Sequence, residues 1–133
     1  MTANPIEFPY VTEHEIRFRD LDAVGHVNNV VYATYCEQSR VRFLEDVLDE
    51  RSGELSVVVA HLELDYRQPI EGIGTVSVAM EPRDVGDSSF ELAYELTFEG
   101  DVVATGSSVQ VVVDPDTGAS APLPDRWRAA LDG

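Results

Sequence analysis

Apolar residues recur along this chain at two periods, and the change from one to the other separates a long helix from a series of strands. Between Asn28 and Asp49 the apolar positions Val31, Tyr35, Val41, Phe43 and Val47 stand at broadly helical spacing, and neither Gly nor Pro intervenes before Gly53. That pattern predicts a helix over 28–49 with Asn28 as its N-cap. About 20 residues rising 1.5 Å each make a rod of roughly 30 Å. Before it, residues 7–19 read as a strand, with His14-Glu15-Ile16-Arg17-Phe18 alternating until the aspartates interrupt. After it the period falls to two. Leu62, Leu64 and Tyr66 alternate with His61, Glu63, Asp65 and Arg67, and Pro69 ends the run. Val76, Val78 and Met80 form a second alternating set, Phe90 to Phe98 the clearest, and Val109, Val111 and Val113 the last. Turn residues fall between them at Gly72 to Gly74, Gly86-Asp87, Gly100-Asp101 and the run Asp114 to Gly118. Residues 125–131 read as a short terminal helix.

The order β-α-β-β-β-β places the chain in the α+β class. Consecutive strands joined by short turns imply an antiparallel meander with one apolar face. That face needs a cover, and the 28–49 helix is the element available for it. The expected architecture is a sheet curled around one long helix, in a single domain over 1–133. Such a sheet has open edges, which joining two copies edge to edge would satisfy.

Charge adds a constraint. The formal net charge of −16 comes from 25 acids against nine bases, and every base is arginine. An acid-rich, lysine-free chain fits an organism that keeps molar salt in its cytoplasm. Self-repulsion on this scale disfavours a compact state at low ionic strength, and at about 1 M salt a Debye length near 3 Å removes most of it. A nucleic-acid partner is disfavoured, because no basic patch is present to displace counterions from phosphates. The first ten residues carry neither a basic leader nor an apolar core of the signal-peptide kind. Runs such as Val57-Val58-Val59-Ala60 are too short to span a bilayer. A soluble, cytoplasmic protein is therefore expected. The single cysteine, Cys36, excludes an internal disulfide and reads as a buried packing residue.

The chemistry concentrates where strand gives way to helix, in Arg17-Phe18-Arg19-Asp20-Leu21-Asp22-Ala23-Val24-Gly25-His26-Val27-Asn28-Asn29. If Asn28 caps the helix, the N–H groups of Asn29, Val30 and Val31 belong to a first turn without intrahelical acceptors. Backed by the positive end of the helix dipole, such donors can polarise a carbonyl whose oxygen gains negative charge. Gly25 permits a turn and a close backbone approach. Asp22, three residues earlier, can then lie across a substrate from the donors as an oxygen base or nucleophile.

This run, continued through Tyr32, Tyr35, Glu37 and Arg40, resembles the signature of the hotdog-fold acyl thioesterases, R-x-x-D-x-D-x-x-G-H-V-N-N-x-x-Y-x-x-Y-x-E-x-x-R. The likeness extends through Leu64-Asp65-Tyr66-Arg67-Gln68-Pro69-Ile70, similar to that family's Y-x-x-P junction, and covers residues 7–125. It implies a hotdog fold and hydrolysis of an acyl-CoA, with Asp22 as nucleophile or general base and the Asn29 N–H polarising the carbonyl. His26 and Asn28 would orient the reactants, while Gly25, Val27, Tyr32 and Arg67 would line the substrate. One bacterial branch has a histidine four residues after the glycine; here that place is Asn29 and the histidine stands at 26. No resident cofactor or metal is implied, coenzyme A being part of substrate and product. The expected assembly is a homodimer with sites between subunits, or a tetramer.

Other residues receive plainer readings. Asp20 is expected to brace the loop, Glu37 and Arg40 to pair with each other along the helix, and His14 and His61 to be satisfied or exposed on strands. Trp127 reads as a packing anchor. Arg67, Arg83 and the Arg17/Arg19 pair are the cationic candidates for the phosphates of coenzyme A. Two rival functions differ in kind: an acyl-carrier-protein thioesterase, and an idle hotdog domain used to bind acyl groups.

Overall fold

The computed structural model describes residues 8–49 and 55–132. Strand β1 (Tyr10–Glu15) leads through a single 3-10 turn (Phe18–Asp20) to helix α1 (Asn29–Asp46). Strands β2 (Ser56–Tyr66), β3 (Thr75–Arg83), β4 (Ser89–Phe98) and β5 (Asp101–Val113) follow, and helix α2 (Asp125–Leu131) comes last. The five strands form one antiparallel sheet in the order β1-β3-β4-β5-β2. This is the hotdog architecture, a sheet packed around a long helix.

The meander holds only for β3, β4 and β5. Strand β2 lies at the far edge beside β5, and the 67–74 segment returns the chain across the end of α1 to β3. Hydrogen bonds explain that path. The Ile70 carbonyl accepts from Val27 N–H at 2.8 Å, the Gln68 carbonyl from the Tyr32 hydroxyl at 3.2 Å, and Gly72 N–H donates to the Gly25 carbonyl at 3.0 Å. The connection is therefore held to the 20–28 loop and the start of α1.

Three further differences have local causes. The first strand ends at Glu15 rather than 19, because the Asp20 carboxylate draws the Arg17 N–H into the 3-10 turn and leaves Phe18 83 % exposed. Residue 7, where that strand was expected to begin, and Gly53 lie outside the described residues. Helix α1 stops at Asp46, after which Val47 and Leu48 turn inward. Its buried stripe is Tyr32, Tyr35, Cys36, Ser39 and Phe43, whereas Val41 faces outward. Strand β5 is inverted relative to its valine pattern: Ser108, Gln110 and Val112 are buried, while Val109, Val111 and Val113 are only half-buried.

A chain of donors makes that inversion tolerable. The Arg40 guanidinium donates to the Tyr94 hydroxyl at 3.2 Å, Tyr94 bonds Ser108, Ser108 donates to the Gln110 side chain, and Gln110 donates to the Phe90 carbonyl at 3.0 Å. Each polar side chain that β5 buries thereby finds a partner, as buried polar groups must. On the other side of α1, Ser39, Thr12 and His14 form a second buried polar cluster with contacts of 2.6–2.9 Å. Burial, then the Arg42 charge, lowers the His14 pKa. Helix α2 adds a cover that the sequence pattern assigned to α1 alone. Trp127 and Leu131 are buried in the same core, and Arg128 donates to the Gly86 carbonyl at 2.9 Å. Among the described residues the indole Nε1 of Trp127 is the buried side-chain polar atom left without a partner.

Gly106 is required by the β5–β2 pairing, since a Cβ there would collide with the Glu63 carbonyl oxygen. Gly106→Ala is expected to push the strands apart and cost about 2 kcal/mol, measurable as a lower denaturation midpoint at unchanged slope. An unchanged midpoint would show that β2 is held some other way. Beyond that pairing β2 is an open edge among the described residues, with Val58, Val59, Leu62 and Tyr66 all exposed.

Candidate active site

The loop from Arg17 to Asn28 is a short hairpin that springs from one buried carboxylate. Asp20 is 1 % exposed. It accepts from Arg17 N–H at 2.8 Å, from the Arg17 guanidinium at 3.0 and 3.2 Å, and from the Tyr35 hydroxyl at 3.0 Å. Burial alone would raise its pKa. The Arg17 backbone and side-chain hydrogen bonds, the Tyr35 hydroxyl and the Arg17 charge outweigh burial, and the carboxyl sits below its ordinary value. Tyr35 is pushed upward in turn, first by burial and then by Asp20. Bracing is thus what Asp20 does.

Beyond Asp20 the chain makes a tight antiparallel turn. Leu21 pairs with Val27, Asn28 N–H donates to the Asp20 carbonyl at 2.9 Å, and Asp22 N–H donates to the His26 carbonyl at 2.7 Å. At the tip, Asp22 Oδ1 accepts from Val24 N–H at 2.9 Å and His26 N–H at 3.1 Å. Gly25 closes the turn at φ +81°, a conformation that L side chains rarely adopt. Asp22 is exposed, and its Oδ2 has no partner among the described residues. One carboxylate oxygen holds the loop, which leaves the other unengaged.

Asn28 caps α1, its Oδ1 accepting from Val30 N–H at 3.0 Å. Its carbonyl accepts from Val31 N–H at 2.9 Å. Two of the three expected first-turn donors are therefore already engaged. Of the three, the Asn29 N–H alone has no acceptor among the described residues. Among the described residues the first turn thus offers one unengaged donor, at the residue that follows the hairpin carrying Asp22.

His26 does not stand free. Its Nε2 lies 3.1 Å from Glu71 Oε1, and the backbones of the two residues form a bridge, which ties the hairpin to the 67–74 connection. No sequence signal marked Glu71, because nothing in the chain's periodicity shows that 71 returns beside 26. Val27 is buried and packs the hairpin onto the core. Tyr32 is buried beneath the first turn, its hydroxyl on Gln68 and its ring edge-on to Tyr66 at 5.0 Å. Tyr66 donates to the Asn29 carbonyl at 2.8 Å. Arg67 leans the other way and donates to Thr105 Oγ1 at 3.3 Å. Arg19 is exposed on the 3-10 turn next to Asp20.

Glu37 and Arg40 do not pair with each other as expected. The Arg40 guanidinium is instead drawn inward to Tyr94. Both border a groove of about 240 Å³ between α1 and β2, walled by Val41, Leu44, Val57, Val59 and Leu92. Cys36 is fully buried, and burial pushes its thiol up to about 12, so it packs rather than attacks. Trp127 is buried as the packing anchor it was expected to be. Among the described residues no three His, Cys, Asp or Glu side chains converge as metal ligands, and no helix is long and apolar enough to cross a membrane.

Known proteins share this fold. A thioesterase from Thermus thermophilus, solved in complex with coenzyme A and Zn, is 35 % identical, with a TM-score of 0.82 over 96 % of this chain and 100 % of the other. A 1,4-dihydroxy-2-naphthoyl-CoA hydrolase from Synechococcus elongatus is 24 % identical over 123 residues, which is 88 % of this chain and 90 % of the hydrolase. A chloroplastic acyl-acyl carrier protein thioesterase from Arabidopsis thaliana is 42 % identical over 65 residues, 44 % of this chain and 34 % of that protein. Residues 16–131 match the thioesterase-like superfamily, from just past β1 through α2. With that match over most of its length and the hotdog fold around it, the chain belongs to the thioesterase-like superfamily and is a thioester hydrolase.

Proposed function

We propose that the protein hydrolyses an acyl-CoA to the free acid and coenzyme A at the mouth of the 20–29 hairpin. The observation that carries this reading is that one carboxylate oxygen of Asp22, on the hairpin, and one donor, the Asn29 N–H at the helix start the hairpin leads into, are both unengaged among the described residues. The thioester carbonyl oxygen takes the Asn29 N–H, which stabilises the charge it gains as the carbon becomes tetrahedral. Asp22 Oδ2 supplies the attack, by adding to the carbonyl carbon itself or by taking a proton from the water that does. The carbon–sulfur bond then breaks and coenzyme A leaves as the thiolate, which takes up a proton from the attacking water or from solvent. Where Asp22 itself has added, water then cleaves the acyl–Asp22 anhydride, releasing the acid and restoring the carboxylate. His26 keeps the loop in place through Glu71. Release of free thiol from a panel of short, long, branched and aryl acyl-CoAs in high potassium chloride tests the reading. The hydroxyaryl class comes first, because the 24 % identical relative acts on such a thioester. Silence from a folded protein across the panel would overturn it.

The open edge of the sheet supports a dimer. Two copies pairing along β2 would extend the sheet and cover Val58, Val59, Leu62 and Tyr66. Antiparallel pairing of those edges would also carry the partner's helix N-terminus toward the α1–β2 groove, which then receives the partner's acyl group. Arg19 and Arg67 are the cations offered to the coenzyme A phosphates, the former nearest the hairpin. Because both protein and substrate are anionic, KM is expected to fall as salt rises over the low range. Steady-state kinetics from dilute buffer upward check this, and a flat or rising KM would remove the electrostatic argument. A carrier-protein substrate is the second reading, supported by the 42 % identical segment. An acidic carrier docking on a chain of net charge −16 makes it the weaker of the two.

A further inference from the structure

We propose that Tyr66 is a positioning residue for the thioester carbonyl, acting through the first residue of α1. Its hydroxyl donates to the Asn29 carbonyl at 2.8 Å, so the residue that offers the free N–H is held from the neighbouring strand by its own C=O. The inference rests on the reading that Asn29 N–H receives the substrate carbonyl.

The geometry gives this contact a purpose that packing does not. Tyr66 stands on β2, the edge of the sheet, and is 49 % exposed in the protomer, so the protomer's core does not account for it, and a dimer seam that covered its ring would have no need of its hydroxyl. Its ring lies edge-on to Tyr32, at 5.0 Å and 76°, and Tyr32 in turn bonds the Gln68 carbonyl just beyond Tyr66. Strand end and helix start are thus clamped twice, Tyr66 to Asn29 and Tyr32 to Gln68. Helix ends fray, and Asn29 is the first residue of α1. The Asn29 N–H and C=O flank one Cα, so fixing the carbonyl restricts the φ and ψ that aim the N–H. An oxyanion donor is effective only within about 2.7–3.1 Å of the developing charge, and misplacement by about 1 Å can cost two orders of magnitude in rate. The Val31 N–H holds the peptide before Asn29 at the Asn28 carbonyl, and the hairpin holds the peptide before that through the Asn28 N–H. Tyr66 holds the peptide after it.

The test compares kcat, KM, melting temperature and oligomeric mass for the wild type, Tyr66→Phe and Asp22→Asn, on one acyl-CoA that the wild type hydrolyses. Tyr66→Phe keeps the ring on Tyr32 and removes only the hydroxyl. The expected result is a kcat lowered about tenfold with KM, mass and melting temperature nearly unchanged. A purely structural tyrosine would lower the melting temperature and leave kcat alone at low temperature, and that outcome overturns the proposal. So does wild-type kcat in Tyr66→Phe, and if Asp22→Asn is inactive in the same experiment the thioesterase reading survives while this inference falls. A folded wild type that hydrolyses no acyl-CoA brings down the reading beneath it, and this inference with it.

Discussion

Asp22→Asn is expected to lose at least about two orders of magnitude in turnover while folding normally, and Asp22→Ala is expected to do the same at some cost to the loop. The two substitutions separate what the carboxylate's oxygens do. Oδ1 accepts from the Val24 and His26 N–H groups of the hairpin, and an asparagine carbonyl can take both bonds. Asparagine therefore preserves the turn and removes only the charge and basicity of the second oxygen. Alanine removes the turn bonds as well, about 1 kcal/mol of a surface loop. Losing the group that makes or activates the nucleophile costs far more than losing one neutral hydrogen bond, which sets the expected size. If Asp22→Asn kept near-normal hydrolysis while Asp22→Ala did not, Asp22 would be a loop residue and the attacking oxygen would come from elsewhere. Near-normal hydrolysis by both, in folded protein, would sink the assignment.

The fold was legible where one face of an element decides its sequence. Phe90, Leu92, Tyr94 and Leu96 alternate because β4 lies in the middle of the sheet with one face under α1, and all four are buried. Asn28 was legible as a cap because its side chain satisfies a donor only two residues on. What failed was non-local. Strand β5 carries valines on its less buried side and Ser108 and Gln110 inside, since a polar relay starting at Arg40 on α1 satisfies them. Alternation alone cannot register a relay between elements far apart in the chain. The same holds for β2: nothing in its residues says that it pairs with β5 rather than β3. At the site, Asp22, Gly25, Asn28 and Asn29 stand together in the chain and read as one unit. Glu71 reaches that unit from the 67–74 connection and Tyr66 from the end of β2, both through contacts remote in the chain, and they were missed for that reason.

Asp20→Ala is expected to lower stability by about 3 kcal/mol, or about 10 °C in melting temperature for a chain of this size. The carboxylate is fully buried and takes four hydrogen bonds. Its loss strands the buried Tyr35 hydroxyl, whereas the half-exposed Arg17 side chain can turn to water, which keeps the cost below that of a fully buried pair. Acid should reveal the same interaction. Because the folded carboxyl lies below its ordinary value, Asp20 stabilises fully above about pH 4 and loses that contribution as pH falls through the lowered value. His14 acts in the same direction at higher pH: its lowered pKa means the unfolded state takes up a proton first, so stability declines as pH drops below about 6.5. Shedding negative charge toward the isoelectric point of 4.2 opposes both by relieving repulsion. Asp20→Asn separates these effects, since it removes the carboxyl's proton linkage and leaves His14 and the net charge nearly as they were. Denaturation midpoints from about pH 8 to 3 in high salt, where repulsion is screened, should show the wild type losing stability below about pH 4 more steeply than Asp20→Asn. Parallel profiles would mean that Asp20 is held no more tightly in the folded chain than in the unfolded one, and the hairpin that presents Asp22 and Asn29 would need another anchor.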